Sequence, residues 1–174
     1  AIDTAAPVAP KLVTNASFNS VVDPQVTFQI RLGGAASDPL PVVFELNPDQ
    51  APVTVANMLA YVNTGFYDGT IFHRVADLNS DPLVRNSVVQ GGGFNTGLAY
   101  KTPTYGPIVL ESNNGLSNLK YTLAMARTSV ANSATDQFYI NANDNTFLNY
   151  ASATSPGYAV FGKVVSGQSV IDAM

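Results

Sequence analysis

The clearest alternation of apolar and polar positions lies in VTFQIRL, residues 26–32, where Val26, Phe28, Ile30 and Leu32 alternate with polar partners. A period of two belongs to a half-buried strand. GGAASDPLP follows with the Gly, Asp and Pro of a loop, and VVFEL (42–46) then reads as the second strand of a hairpin. The period changes in DQAPVTVANMLAYVNTG, where Val55, Met58, Leu59 and Val62 fall at helical spacing. Pro52 suits the first turn of that helix, and Gly65 suits the position after its end. Short apolar runs then return as TIFHRV, SVVQG, PIVLE, YTLAMAR, QFYINA and YAVFGKV, separated by Gly, Asn and Pro, and GQSVIDAM reads as the start of a second helix. One early helix, one late helix and about seven short strands between them predict an antiparallel barrel or sandwich with helices at its ends.

The first 24 residues are rich in Ala, Pro, Asn and Ser, and read as an extended arm before a domain over 25–174. The chain carries 8 Lys and Arg against 12 Asp and Glu, a net charge of −4, with no basic cluster, which speaks against a nucleic-acid partner. No apolar run approaches the roughly 20 residues of a membrane helix. There is no cysteine, so neither a disulfide nor a thiol enters the chemistry. The opening AIDTAAPVAP lacks the basic and apolar regions of a signal peptide and reads as a mature terminus after cleavage. That points to a periplasmic or secreted protein, with the cytoplasm as the alternative. Asn15-Ala16-Ser17 fits a glycosylation acceptor, a triplet that chance often supplies.

Chemistry-bearing residues are few. His73 is the single histidine, and with no cysteine beside it a metal site lacks its ligands. No G-x-S-x-G turn supports a Ser–His pair. His73 between Phe72 and Arg74 therefore reads as structural support. GGGF (91–94) lacks the rest of a phosphate loop, and a tight backbone approach or bulge is the better reading. Arg74 and Arg127 each end an apolar run, and Gln90 and Gln137 interrupt two others. Together they make a donor-rich floor conceivable on a barrel surface.

FYDGTIFHRV with VVQGGGF, then YTLAMARTSVANSATDQFYIN, FLN and GYAVFGKVVSGQSVID, resembles the cyclophilins, peptidyl-prolyl cis/trans isomerases. The AMART run and the Tyr before AVFGKV look most like bacterial members, including periplasmic ones. The resemblance spans about residues 26–174 and keeps the family's motif order. It implies an eight-stranded antiparallel barrel capped by two helices, with its final strand either missing or supplied by the N-terminal segment; KLVTNASF (11–18) is the expected substitute. It also implies a catalytic pair, Arg74 and Gln90. The implied substrate-binding set is Val88, Ala126, Arg127, Gln137, Phe138, Tyr139, Phe147, Leu148 and Tyr158. No cofactor or metal is implied. The implied partners are proline-containing peptides and unfolded proteins, the chain is expected to be a monomer, and Phe147 in place of the Trp of many eukaryotic members implies weak cyclosporin binding.

These residue types suit the reaction. In the twisted amide, resonance is lost and the prolyl nitrogen carries a localised lone pair, so a guanidinium placed beside it binds the twisted form best. The proline ring needs an apolar pocket, expected from Tyr139 and Leu148 with Val88 and Phe138 as neighbours. Backbone groups at Ala126 and Arg127 are expected to pair with an extended peptide. Sixteen positions separate Arg74 from Gln90, and ADLNSDPLVRNSV replaces the family's Pro-Gly-Phe-Met turn. Val88 and Ser87 then fall at its Met and Phe positions, and Leu83 or Val84 is expected to rebuild the lost wall. Tyr139 replaces the usual Phe and brings a hydroxyl that needs a partner. The competing function is a proline-peptide-binding module or chaperone with little turnover.

Overall fold

The computed structural model describes residues 2–4, 23–33, 37–78 and 87–174. The strands are β1 (Ile2–Thr4), β2 (Gln25–Ile30), β3 (Leu40–Leu46), β4 (Thr70–Asp77), β5 (Ser87–Asn95), β6 (Thr122–Met125), β7 (Phe138–Asn141) and β8 (Val160–Ser166). Helix α1 (Pro52–Asn63) follows β3, and the short α2 (Gln168–Asp172) follows β8. Seven strands, β2 to β8, curl antiparallel in the order β2-β3-β8-β6-β7-β5-β4, and β1 bridges the two ends into a closed barrel.

Alternation sets the interior. Val26, Phe28 and Ile30 on β2 and Val42, Phe44 and Leu46 on β3 are all buried, because one face of each pleat meets the core. Phe28 packs edge-on against Phe44 at 4.9 Å and against Phe138 at 5.7 Å between ring centroids. Helix α1 adds Val55, Met58, Tyr61 and Val62 to the same core, and Val170 and Ile171 of α2 join it. Pro52 opens α1 as expected, and Gly65 follows its end at φ 66°.

Two features depart from the expected elements. PIVLE forms no strand; Ile108 contributes one isolated bridge to Ala134. Its neighbours Val109 and Tyr105 are exposed, so no buried face holds a register there. Ile2–Thr4, expected in an arm ahead of the domain, are strand within it. Ile2 pairs with Ile30 on one side and Thr70 on the other, covering the open edges of β2 and β4. The 11–18 stretch proposed for that role, and the Asn15 triplet, lie outside the described residues.

Candidate active site

A row of partnered residues crosses the outside of the barrel. Ala124 on β6 pairs with Tyr139 on β7, Tyr139 with Gln90 on β5, and Gln90 with Arg74 on β4. Residues in one such row present their side chains to the same face. Around it Val88, Ala124, Tyr139 and Val160 form a second apolar cluster, separate from the core, against which Leu78, Ala126, Leu148 and Tyr158 pack. The result is a groove of about 290 Å³ lined by Arg74, Leu78, Val88, Gln90, Ala126, Arg127, Tyr139, Phe147, Leu148 and Tyr158.

Arg74 reaches this face because β4 is irregular. Strict alternation would put Phe72 and Arg74 on one side, yet Phe72 packs on the core and Arg74 lines the groove. The β4–β5 register shifts between these two residues, and the extra residue reverses the facing. That residue is His73. Its ring lies 4.5 Å from Phe94, and its buried Nδ1 has no hydrogen-bond partner among the described residues. Burial, with Arg74 adding to it, lowers the imidazole's pKa, against an opposing contact with the Ile71 backbone. His73 is thus the pivot that turns Arg74 outward, in keeping with the structural role read from sequence.

The polar floor is connected. Arg74 Nη1 donates to Gln90 Oε1 at 3.3 Å, and Gln90 Nε2 donates to Gln137 Oε1 at 3.0 Å. The glycine run makes room for this chain. A Cβ on Gly93 would stand 2.4 Å from Gln137 Nε2, and one on Gly92 would stand 2.9 Å from the Tyr67 ring. Gly92 also holds φ 97°, where a side chain is strained. The glycines therefore serve close approach, as read from sequence.

The other side of the groove is apolar. Tyr139 is 5% exposed and meets Tyr158 edge-on at 5.8 Å. Its hydroxyl donates to Asn118 Oδ1 at 2.8 Å, which supplies the partner the sequence required. Burial pushes that phenol's pKa far up, with Tyr158 adding and Arg127 opposing, so the hydroxyl stays a donor at any working pH. Asn118 is fixed in turn: its N–H and Nδ2 both donate to Asn149 Oδ1, at 2.8 and 3.0 Å. Asn145 donates through Nδ2 to Asn141 Oδ1 at 2.8 Å and to the Ser87 carbonyl at 3.1 Å. This buried asparagine cluster seats the 3₁₀ turn Thr146–Leu148, which presents Leu148 to the groove and leaves Phe147 56% exposed at its rim. Tyr158 N–H donates to the Leu148 carbonyl at 3.0 Å, bringing the opposite wall alongside.

The arginine on that wall is held. Arg127 Nε donates to the Gly157 carbonyl and Nη1 to the Thr128 carbonyl, each at 2.9 Å, and its guanidinium carbon lies 4.6 Å from the Tyr158 ring centroid. Gln137 lies in an adjoining cavity of about 330 Å³ that shares Gln90, Ala126 and Arg127 with the groove.

Most residues named from sequence converge here, with two corrections. Phe138 does not line the groove. It is fully buried in the core against Phe28, Phe44 and Tyr67, because adjacent strand residues point to opposite faces and Tyr139 takes the outer one. The N–H of Ala126 donates to the Gln137 carbonyl at 3.0 Å, so a peptide pairing here has to use the carbonyl instead. Leu83 and Val84 lie outside the described residues. Leu78 was missed; it stands two and four residues beyond Ala76 and Arg74, and continuing that period would have found it. Among the described residues no cluster of His, Cys, Asp or Glu could hold a metal ion.

Residues 32–174 match the family described as cyclophilin type peptidyl-prolyl cis-trans isomerase/CLD. The peptidyl-prolyl cis-trans isomerase cyp18 of Streptomyces antibioticus is 52% identical over 135 residues, 76% of each chain. Peptidyl-prolyl cis-trans isomerase B of Escherichia coli (strain K12) is 47% identical over 133 residues, 75% of this chain and 76% of the relative. A crystal structure of a Cryptosporidium parvum cyclophilin type peptidyl-prolyl cis-trans isomerase, obtained in the presence of the dipeptide Ala-Pro, superposes with a TM-score of 0.60 at 26% identity, covering 76% of this chain and 77% of that one.

Proposed function

The chain belongs to the cyclophilin type peptidyl-prolyl cis-trans isomerase family and is a peptidyl-prolyl isomerase, and we propose that its Arg74 guanidinium performs the rotation in the groove just described. The observation that carries this reading is the row Ala124–Tyr139–Gln90–Arg74, which sets a tethered cation beside an apolar pocket on one face. Unaided peptide rotation crosses about 18–20 kcal/mol. Lowering it by about 5 kcal/mol accelerates the reaction several thousandfold. The proline ring enters among Val88, Leu78, Tyr139 and Leu148. Arg74 donates to the nitrogen lone pair, which exists as an acceptor only in the twisted amide, so the contact favours the transition state over both planar forms. Gln90 holds Arg74 from below through its carbonyl oxygen. Its amide has two N–H donors; one goes to Gln137, and the other is assigned to the substrate carbonyl.

The substrates are X–Pro segments of unfolded or secreted proteins, a role in folding that a periplasmic location would suit. Phe147 at the rim supports weak cyclosporin binding, and the chain acts as a monomer. The deciding experiment compares wild type with Arg74→Ala on a proline tetrapeptide. The expected loss in kcat/KM is about 10²–10³, the scale for removing one transition-state donor. Because Arg74 is exposed, its denaturation midpoint should stay unchanged. Equal rates in the two proteins would remove Arg74 from the reaction.

A further inference from the structure

The two cavities share an electrostatic character that the rotation itself does not require. Arg74 and Arg127 both line the groove, Arg127 also lines the adjoining cavity, and among the described residues no Asp or Glu lines either. This local sign is opposite to the chain's net charge of −4. The ion pairs among the described residues are Lys120–Asp172 and Lys163–Glu45, so no described carboxylate pairs with either groove arginine.

Arg127 is also pre-positioned. Two carbonyls and the Tyr158 face hold its plane. The two bonds use two of the five N–H donors of a guanidinium, leaving a fork that suits an oxygen pair. The adjoining cavity adds the Gln137 amide; the hydroxyls of Thr128, Ser133 and Thr135 that also line it already donate to Ser133 Oγ, the Val130 carbonyl and Asp136 Oδ1. An ionised carboxylate only accepts hydrogen bonds, so it is the side-chain end that this donor set and this charge favour most.

We infer that the enzyme is selective for X–Pro sites carrying an Asp or Glu side chain within two residues of the proline, and that Arg127 reads that charge. The inference rests on the groove being the isomerase site. It deepens that reading by assigning the class of sequence the enzyme works on. A neutral amide fits the same volume but not the charge, so Glu against Gln is the discriminating comparison.

The test measures kcat/KM by exchange NMR, which needs no coupled protease whose own specificity would respond to charge. The peptides place Glu, Gln or Lys immediately before, two before, or one after the proline. At low salt the best Glu peptide should exceed its Gln counterpart by about fivefold, the scale of one partly exposed ion pair, and Lys should fall below Gln. High salt should shrink the ratio by screening. Arg127→Gln should bring Glu:Gln close to one whatever its absolute rate, and Arg127→Lys should keep most of the preference. A wild-type ratio of one at every position overturns the inference. So does a ratio that survives Arg127→Gln, since the charge would then be read elsewhere. Arg74→Ala serves as the separate control. If it isomerises as fast as wild type, the site assignment has failed; if it is slow while Glu and Gln are treated alike, only the selectivity has.

Discussion

Replacing Tyr139 by Phe removes one oxygen from beneath the groove and leaves the ring that packs on Tyr158. The lost bond is the buried 2.8 Å donation to Asn118 Oδ1. A buried neutral hydrogen bond contributes about 1 kcal/mol net. Asn118 Oδ1 still accepts from Asn141 Nδ2 at 3.2 Å, so no acceptor is abandoned and the loss should stay near that value. The opposite deletion is harsher. Asn118→Ala leaves the Tyr139 hydroxyl buried without a partner, at about 1–3 kcal/mol. It also takes one of the two donors from Asn149 Oδ1 and opens a small cavity. When Tyr139→Phe is already in place the orphaned hydroxyl no longer exists, so Asn118→Ala should then be milder by about 1–1.5 kcal/mol. Urea denaturation of the four proteins, with equal m-values, measures that coupling. Activity supplies an independent readout. Tyr139→Phe should keep kcat/KM within about twofold of wild type, since the ring lines the groove while the hydroxyl turns to Asn118. Free energies that add to within about 0.3 kcal/mol would refute the pairing.

Three further outcomes follow from local contacts. Gly93→Ala should lower kcat/KM by about tenfold with little loss of stability, because its Cβ would displace the flexible Gln137 side chain and free Gln90; an unchanged rate would show that the Gln90–Gln137 bond does not matter. Glu111→Ala should destabilise by about 1–2 kcal/mol on chemical denaturation. Glu111 accepts from Val53 N–H at 3.1 Å and from Thr54 N–H at 2.8 Å, capping α1 where Ala51 offers no side chain; wild-type stability would refute the cap. Stability should fall as pH drops below about 6.5, the unperturbed histidine value, because the folded state holds His73 at a lowered pKa and the unfolded chain takes up the proton first. His73→Gln should flatten the melting-temperature profile between about pH 7 and 5.5, and an unflattened profile would assign the effect to another group.

The named residues that share the groove were carried by motif and order. FHR and QGG placed Arg74 and Gln90, and the Val88–Tyr139–Leu148 pocket followed from the same alignment. What failed were questions of facing. Phe138 and Tyr139 are adjacent and both apolar, so binary alternation could not say which one enters the core. TIFHRV predicts a regular strand, yet the bulge at His73 is what separates Phe72 from Arg74. The interruption ADLNSD hid Leu78, since a polar run gives no reason to follow the strand's period past Asp77.

The sequence by itself determined the strand and helix periods, the helix boundaries at Pro52 and Gly65, and the family. These depend on residue type and local spacing, which the chain carries with it. Only the tertiary structure decided that Glu111 caps a helix 58 residues earlier, that Asn118 receives the Tyr139 hydroxyl, and that Ile2 bridges β2 and β4. These contacts join groups distant in sequence, and barrel closure alone brings each buried donor to its acceptor, where leaving either unpaired would be costly.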